Sequence, residues 1–96
     1  MARKRNTTVA GCAFDAKTIE AVWNKSQKIK DKNAFIYRCD ILGNTLFRGS
    51  YGKQTIMGWE IDHIKSVSKG GTDDMNNLQI LNSGANAKKG DTYPWP

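Results

Sequence analysis

The chain has 96 residues, with 15 Lys and Arg against 9 Asp and Glu, one His and two Cys. That length allows one small domain with a thin core, because a chain of this size buries only about two-thirds of the surface it exposes when unfolded. With 39% hydrophobic and 25% charged residues and a mean hydropathy of -0.62, the composition suits a soluble globular domain and excludes a membrane span.

The net charge of +6 is uneven, since residues 1–32 hold eight basic and three acidic residues while residues 33–96 hold seven and six. A basic N-terminal end favours a polyanionic partner, nucleic acid first, although a solvated basic tail has the same composition. Arg3-Lys4-Arg5 followed by Val9-Ala10-Gly11-Cys12 has the outline of a lipoprotein export signal. Only Asn6, Thr7 and Thr8 lie between the two parts, where such a signal needs an apolar run of about 7–15 residues. A cytoplasmic location is therefore expected, with Cys12 and Cys39 as reduced thiols. Neither belongs to a C-x-x-C pair, so a cysteine zinc site has no support.

Residues 1–14 read as a basic N-terminal arm. A first helix is predicted from Ala16 to Ile29, with Asp15 as N-cap, Phe14 stapled onto Ile19, and Ile19, Val22, Trp23 and Ile29 on one face. Ala34 to Arg38 reads as a strand, paired with Leu46 to Arg48 across a turn containing Gly43-Asn44. Gly49, Gly52 and Gly58 mark the next stretch as loop. A second apolar strand, Trp59 to Ile64, leads into the polar loop Lys65 to Asn77 with its Gly70-Gly71 turn, and Leu78 to Leu81 reads as the returning strand. Asn82 or Ser83 then caps a short helix that runs to Lys89 and stops at Gly90. The expected product is a single α+β domain over residues 15–91, with residues 92–96 as a tail.

His63, the one His, follows Asp62 at the mouth of the Gly-containing loop. An Asp-His pair alone says little, because a lone His is more often structural than catalytic. With Asn77 and Asn86 it forms the frame W-E-I-D-H-I-(x)12-N-L-Q-I-L-(x)4-N-A-K-K-G-D. This frame resembles the HNH family of nucleases, whose site is a ββα-metal unit, here at residues 59–90. Val22-Trp23, Arg38-Cys39-Asp40, Tyr51-Gly52 and Gly58-Trp59-Glu60 extend the likeness more loosely towards small bacterial and phage members.

The resemblance implies a metal-dependent endonuclease that hydrolyses DNA phosphodiester bonds, leaving 5'-phosphate and 3'-hydroxyl ends, with double-stranded DNA the expected substrate. His63 would be the general base and Asn77 the residue that braces the loop behind it. Asp62 and Asn86 would hold one divalent ion. Two oxygen donors suit Mg2+ or Mn2+, whereas family members with His at the last position suit Zn2+ or Ni2+. Many relatives carry two C-x-x-C pairs around a structural zinc. Here Asn82 and Ala85 stand in the corresponding places, so no structural zinc is expected. One site per chain makes nicking the default for a monomer or weak homodimer. The short helix is expected at the minor groove, with Lys89, Lys88 and Lys65 near the phosphates and Arg3, Lys4 and Arg5 extending the footprint. Glu60 is expected to hydrogen-bond beside the site, and Asp73 and Asp74 to cap a turn. A non-catalytic DNA-binding module is the competing reading, and the intact Asp62, His63, Asn77 and Asn86 argue against it. One geometric tension remains: adjacent strand residues face opposite ways, so Asp62 and His63 can serve one phosphate only if the strand ends or bends there.

Overall fold

The computed structural model describes residues 3–95. Its elements are α1 (Ala16–Asn24), β1 (Tyr37–Cys39), β2 (Thr45–Phe47), β3 (Trp59–His63), β4 (Leu78–Asn82) and α2 (Ser83–Lys89), with three single 3-10 turns between them. β1 pairs antiparallel with β2, and β3 antiparallel with β4, giving two separate two-stranded sheets in an α+β chain. Among the described residues no helix is long and apolar enough to cross a membrane.

Asp15 caps α1, accepting a hydrogen bond from the Thr18 amide at 2.8 Å. That bond holds its carboxyl below the ordinary range. The helix stops at Asn24, five residues before the expected end at Ile29, because Arg38 claims the backbone beyond it. Its buried guanidinium donates to the Asn24 carbonyl at 2.9 Å and to the Ser26 carbonyl at 2.8 Å, oxygens that a continuing helix would have used itself. The Ala34 carbonyl takes a third bond, from Arg38 Nε at 2.8 Å.

The first strand begins at Tyr37 rather than Ala34. Asn33 turns the chain there, its side chain accepting from the Phe35 amide and its carbonyl from the amides of Ile36 and Tyr37. Asp40 then closes the hairpin turn, accepting from Leu42, from the Asn44 backbone and side chain, and from the amide of Asn82. One buried carboxylate thus ties the hairpin to the junction of β4 and α2.

The second sheet is the centre of the molecule. Its register pairs Trp59 with Asn82, Ile61 with Ile80 and His63 with Leu78, and between them Glu60 with Leu81 and Asp62 with Gln79. Strand alternation therefore gives it two unlike faces. Ile61, Ile80, Leu78 and Trp59 join Phe14, Val22, Trp23 and Leu46 in the core under α1. Glu60, Asp62, Gln79 and Leu81 face α2. All five residues of β3 are buried, two of them carboxylates.

Trp23 is fully buried, lies 5.0 Å centroid to centroid from Trp59, and donates its indole N–H to the Ala34 carbonyl. Trp23→Ala removes this contact between α1 and the second sheet and is expected to cost about 3–5 kcal/mol. Against a total of about 5–15 kcal/mol for a domain, urea unfolding should show a large drop in midpoint. A loss below about 1 kcal/mol would contradict the central place given to this residue.

Candidate active site

The site lies where β3 ends. Asp62 points to α2, and its two oxygens accept from Lys89 Nζ at 3.1 Å and from Gln79 Nε2 at 2.9 Å. His63 points the other way, with its ring 5.9 Å from that of Phe14 and Nε2 2.8 Å from Asp73 Oδ1. The strand stops directly after it, where the Ile64 amide turns to the Asn77 carbonyl. Alternation and convergence are reconciled at this stop: Asp62, His63, Asn86 and Lys89 all line one cleft of about 280 Å3, which Arg3, Lys4 and Arg5 also border.

Asn77 holds the loop. Its side-chain oxygen accepts from the Lys65 amide at 2.8 Å, and its nitrogen donates to the carbonyls of Lys65 and Thr72. Gly71 is required by the same closure, since a Cβ there would sit 1.8 Å from the Lys65 carbonyl oxygen.

α2 delivers Asn86 and Lys89. Asn82 caps the helix by accepting from the Ala85 amide, and the spacing of Ser83, Asn86 and Lys89 turns all three inward. Lys89 does not reach the surface where a phosphate contact would need it. Its side chain is 1% exposed, and its ammonium sits between Asp62 Oδ1 and the His63 carbonyl. Lys88 and Lys65 are exposed.

The N-terminal segment is engaged rather than trailing. Arg5 pairs with Glu60 at 3.0 Å, and Asn6 Oδ1 accepts from the Ile61 amide and the Tyr51 hydroxyl. Arg3 donates to the Thr7 and Thr8 carbonyls and the Thr7 hydroxyl. Lys4 remains exposed at the edge of the cleft.

Asp73 is the neighbour of His63 that sequence reading misplaced. Expected to cap a turn, it lies against His63 and also accepts from the Val9 amide. Asp74 does stay within the turn, bonded to Thr72. Gln79 has no place among the site residues expected from sequence, although the β3–β4 register puts it directly across from Asp62. For Asp73 the available signal was a carboxylate just after the Gly70-Gly71 turn, where the loop folds back towards the end of β3.

The electrostatics separate the two carboxylates. Burial pushes the Asp62 carboxyl above its ordinary range, against the pull of Gln79 and Lys89. Burial would also raise Glu60, but hydrogen bonds from Arg5, Gln54 and Asn86 outweigh it and hold this group below its ordinary value.

Among the described residues no three His, Cys, Asp or Glu side chains cluster to hold a metal ion. What the cleft offers is the Asp62 carboxylate and the Asn86 amide oxygen, which remains free because the amide nitrogen donates to Glu60. Two hard oxygen donors beside open space fit a cation that keeps water or phosphate in the rest of its shell, as Mg2+ and Mn2+ do.

Comparison with known proteins gave one result. A family model described as HNH endonuclease matches residues 47–92. No curated protein and no solved structure gives a match.

The lowered pKa of Glu60 carries a testable pH dependence. A carboxylate with a depressed folded value adds stability that is present above its unfolded value, about pH 4.3, and lost as pH falls through the folded value. The difference in unfolding free energy between the natural chain and Glu60→Gln should be largest near neutrality and shrink below about pH 4.3. Asp62, shifted the other way, is present in both proteins and cancels. A difference that stays constant into acid would contradict the pairing of Glu60.

Proposed function

Residues 47–92 form an HNH endonuclease domain, and from that premise we propose that the chain is a metal-dependent DNA endonuclease that nicks one strand per site. The observation that carries this reading is the convergence of Asp62, His63 and Asn86 on one cleft bordered by basic residues. In this reading Asp62 and Asn86 hold one Mg2+ or Mn2+. Such an ion, when bound, polarises the phosphate and stabilises the departing 3'-oxygen.

The remaining steps belong to the chain. His63 serves as general base for the attacking water, and Asp73 decides which ring nitrogen does so. A carboxylate 2.8 Å from Nε2 favours the tautomer with the proton on that nitrogen, which leaves Nδ1 with the lone pair that accepts a proton. Asn77 holds the loop that carries Asp73 back over the end of β3. Lys89 fixes the Asp62 carboxylate from inside the fold, and the exposed Lys4, Lys65 and Lys88 contribute phosphate contacts with a strong salt dependence.

Supercoiled plasmid with Mn2+ or Mg2+ should give nicked circles before linear product, and EDTA should stop the reaction. His63→Ala is expected to lower the rate by about 100- to 10,000-fold. A purified, folded protein that binds plasmid but leaves it intact with either ion would overturn the proposal. Asp73→Asn keeps the volume while weakening the hold on the tautomer, and should lower the rate by about 10- to 100-fold with little change in Mn2+ affinity. Unchanged kinetics in that variant would remove Asp73 from the mechanism.

A further inference from the structure

Glu60 sits two residues before Asp62 on β3, is 5% exposed, and does not line the cleft. Its four hydrogen bonds occupy both oxygens. Oε1 accepts from Arg5 Nε at 3.0 Å and from Asn86 Nδ2 at 2.9 Å, while Oε2 accepts from Gln54 Nε2 at 2.9 Å and from Arg5 Nη2 at 3.4 Å. It is therefore saturated and turned away from the position a cation would take.

The bond to Asn86 is informative because an amide has two unlike ends. Both Glu60 oxygens already accept from Arg5 and Gln54, so they meet Asn86 as acceptors and the end of Asn86 that faces them is the NH2 group. The opposite end is then the carbonyl oxygen. Asn86 lines the cleft, Oδ1 receives no hydrogen bond from the described residues, and it is not a buried orphan, since the one buried unsatisfied side-chain atom among them is Arg48 Nη1. Oδ1 is thus open to the cleft. Turning the amide over would set two acceptors against each other in a buried position and leave an NH2 group facing the cleft, where it would repel a cation.

We infer that Glu60 is a positioning residue that fixes the orientation of the Asn86 amide and so presents its oxygen, rather than its nitrogen, to a divalent cation. The inference rests on the proposed role of Asn86 as a metal ligand. It extends to Arg5, whose guanidinium donates to both Glu60 oxygens and so holds the carboxylate in place against Asn86. This assigns the basic N-terminal segment a task inside the site in addition to any contact with DNA.

A double-mutant cycle on Mn2+ binding by calorimetry, with no DNA present, tests this. Asn86→Ala and Glu60→Ala should each weaken Mn2+ binding by about 10- to 100-fold. The double variant should bind no more weakly than Asn86→Ala alone, because Glu60 acts through Asn86. Additive losses would overturn the inference, since a direct ligand or a general support of the fold would contribute independently. Natural affinity in Glu60→Ala would overturn it as well. Natural affinity in Asn86→Ala would instead remove the ligand assignment on which it rests, so the two failures are distinct. Glu60→Gln retains an oxygen that can accept from Asn86 Nδ2, and should lose only severalfold. If thermal melting shows Glu60→Ala unfolded, the cycle is built with Glu60→Gln and read by the same criterion, and additivity there also overturns the inference.

Discussion

Two carboxylates on one face of a buried strand set the terms for the rest of this molecule. Glu60 and Asp62 are both at least 94% buried on β3. An ionised carboxylate out of water is tolerated only when its oxygens are paired. The surroundings are arranged to meet that demand. α2 brings an amide and an ammonium at three-residue spacing, β4 brings Gln79 across the strand pair, and the N-terminal segment returns to bring Arg5. A helix of seven residues has little stability of its own. Here it is held by its N-cap at Asn82 and by the polar contacts that Asn86 and Lys89 make with β3.

The same demand explains why the N-terminal residues are folded onto the domain in spite of their basic composition. Arg5 is bound by Glu60, Asn6 fills the open edge of β3 by accepting from Ile61, and the Val9 amide meets Asp73. Three successive contacts along one short segment tie it to β3 and to the loop that follows β3. Charge that composition assigns to a partner is partly used within the chain. The exposed Lys4, Lys65 and Lys88 carry the remaining positive charge near the cleft.

Much of this was legible in the sequence, and the boundary of legibility follows range. The pairing of β3 with β4, the caps Asp15 and Asn82, the stop at Gly90 and the bracing role of Asn77 towards the loop backbone all depend on neighbours or on a single hairpin register. What sequence could not give depends on contacts between distant segments. The early end of α1 needs Arg38, fourteen residues from the Asn24 carbonyl it binds. The displacement of β1 is the local exception: Asn33 had the chemistry of a turn residue, but the apolar run after it outweighed that signal. Lys89 does share a face with Asn86, as its spacing implies, but it is expected near a phosphate and instead lies buried against Asp62. Spacing gives the shared face, and only the position of β3 says that the face is inward. The alternation of Glu60 and Asp62 did contain a hint, since two carboxylates on one strand face need donors opposite them.

The charge arrangement bears on how such a site meets its substrate. Asp62 is matched by Lys89 and Glu60 by Arg5, so the four groups balance before any cation arrives. This differs from a cage of several carboxylates, whose surplus negative charge attracts a cation strongly without help. With the ammonium of Lys89 beside Asp62, a divalent ion meets both an attractive oxygen and a like charge. The proposed site would therefore hold the ion loosely by itself, and a DNA phosphate at the cleft would supply the missing negative charge. Ion and substrate then strengthen each other's binding by the same factor, as linkage requires. Among the described residues there is no acidic cage; in the proposed site the pairs that satisfy the buried face would also keep the cleft preformed, and the substrate phosphate would complete the shell of the loosely held ion.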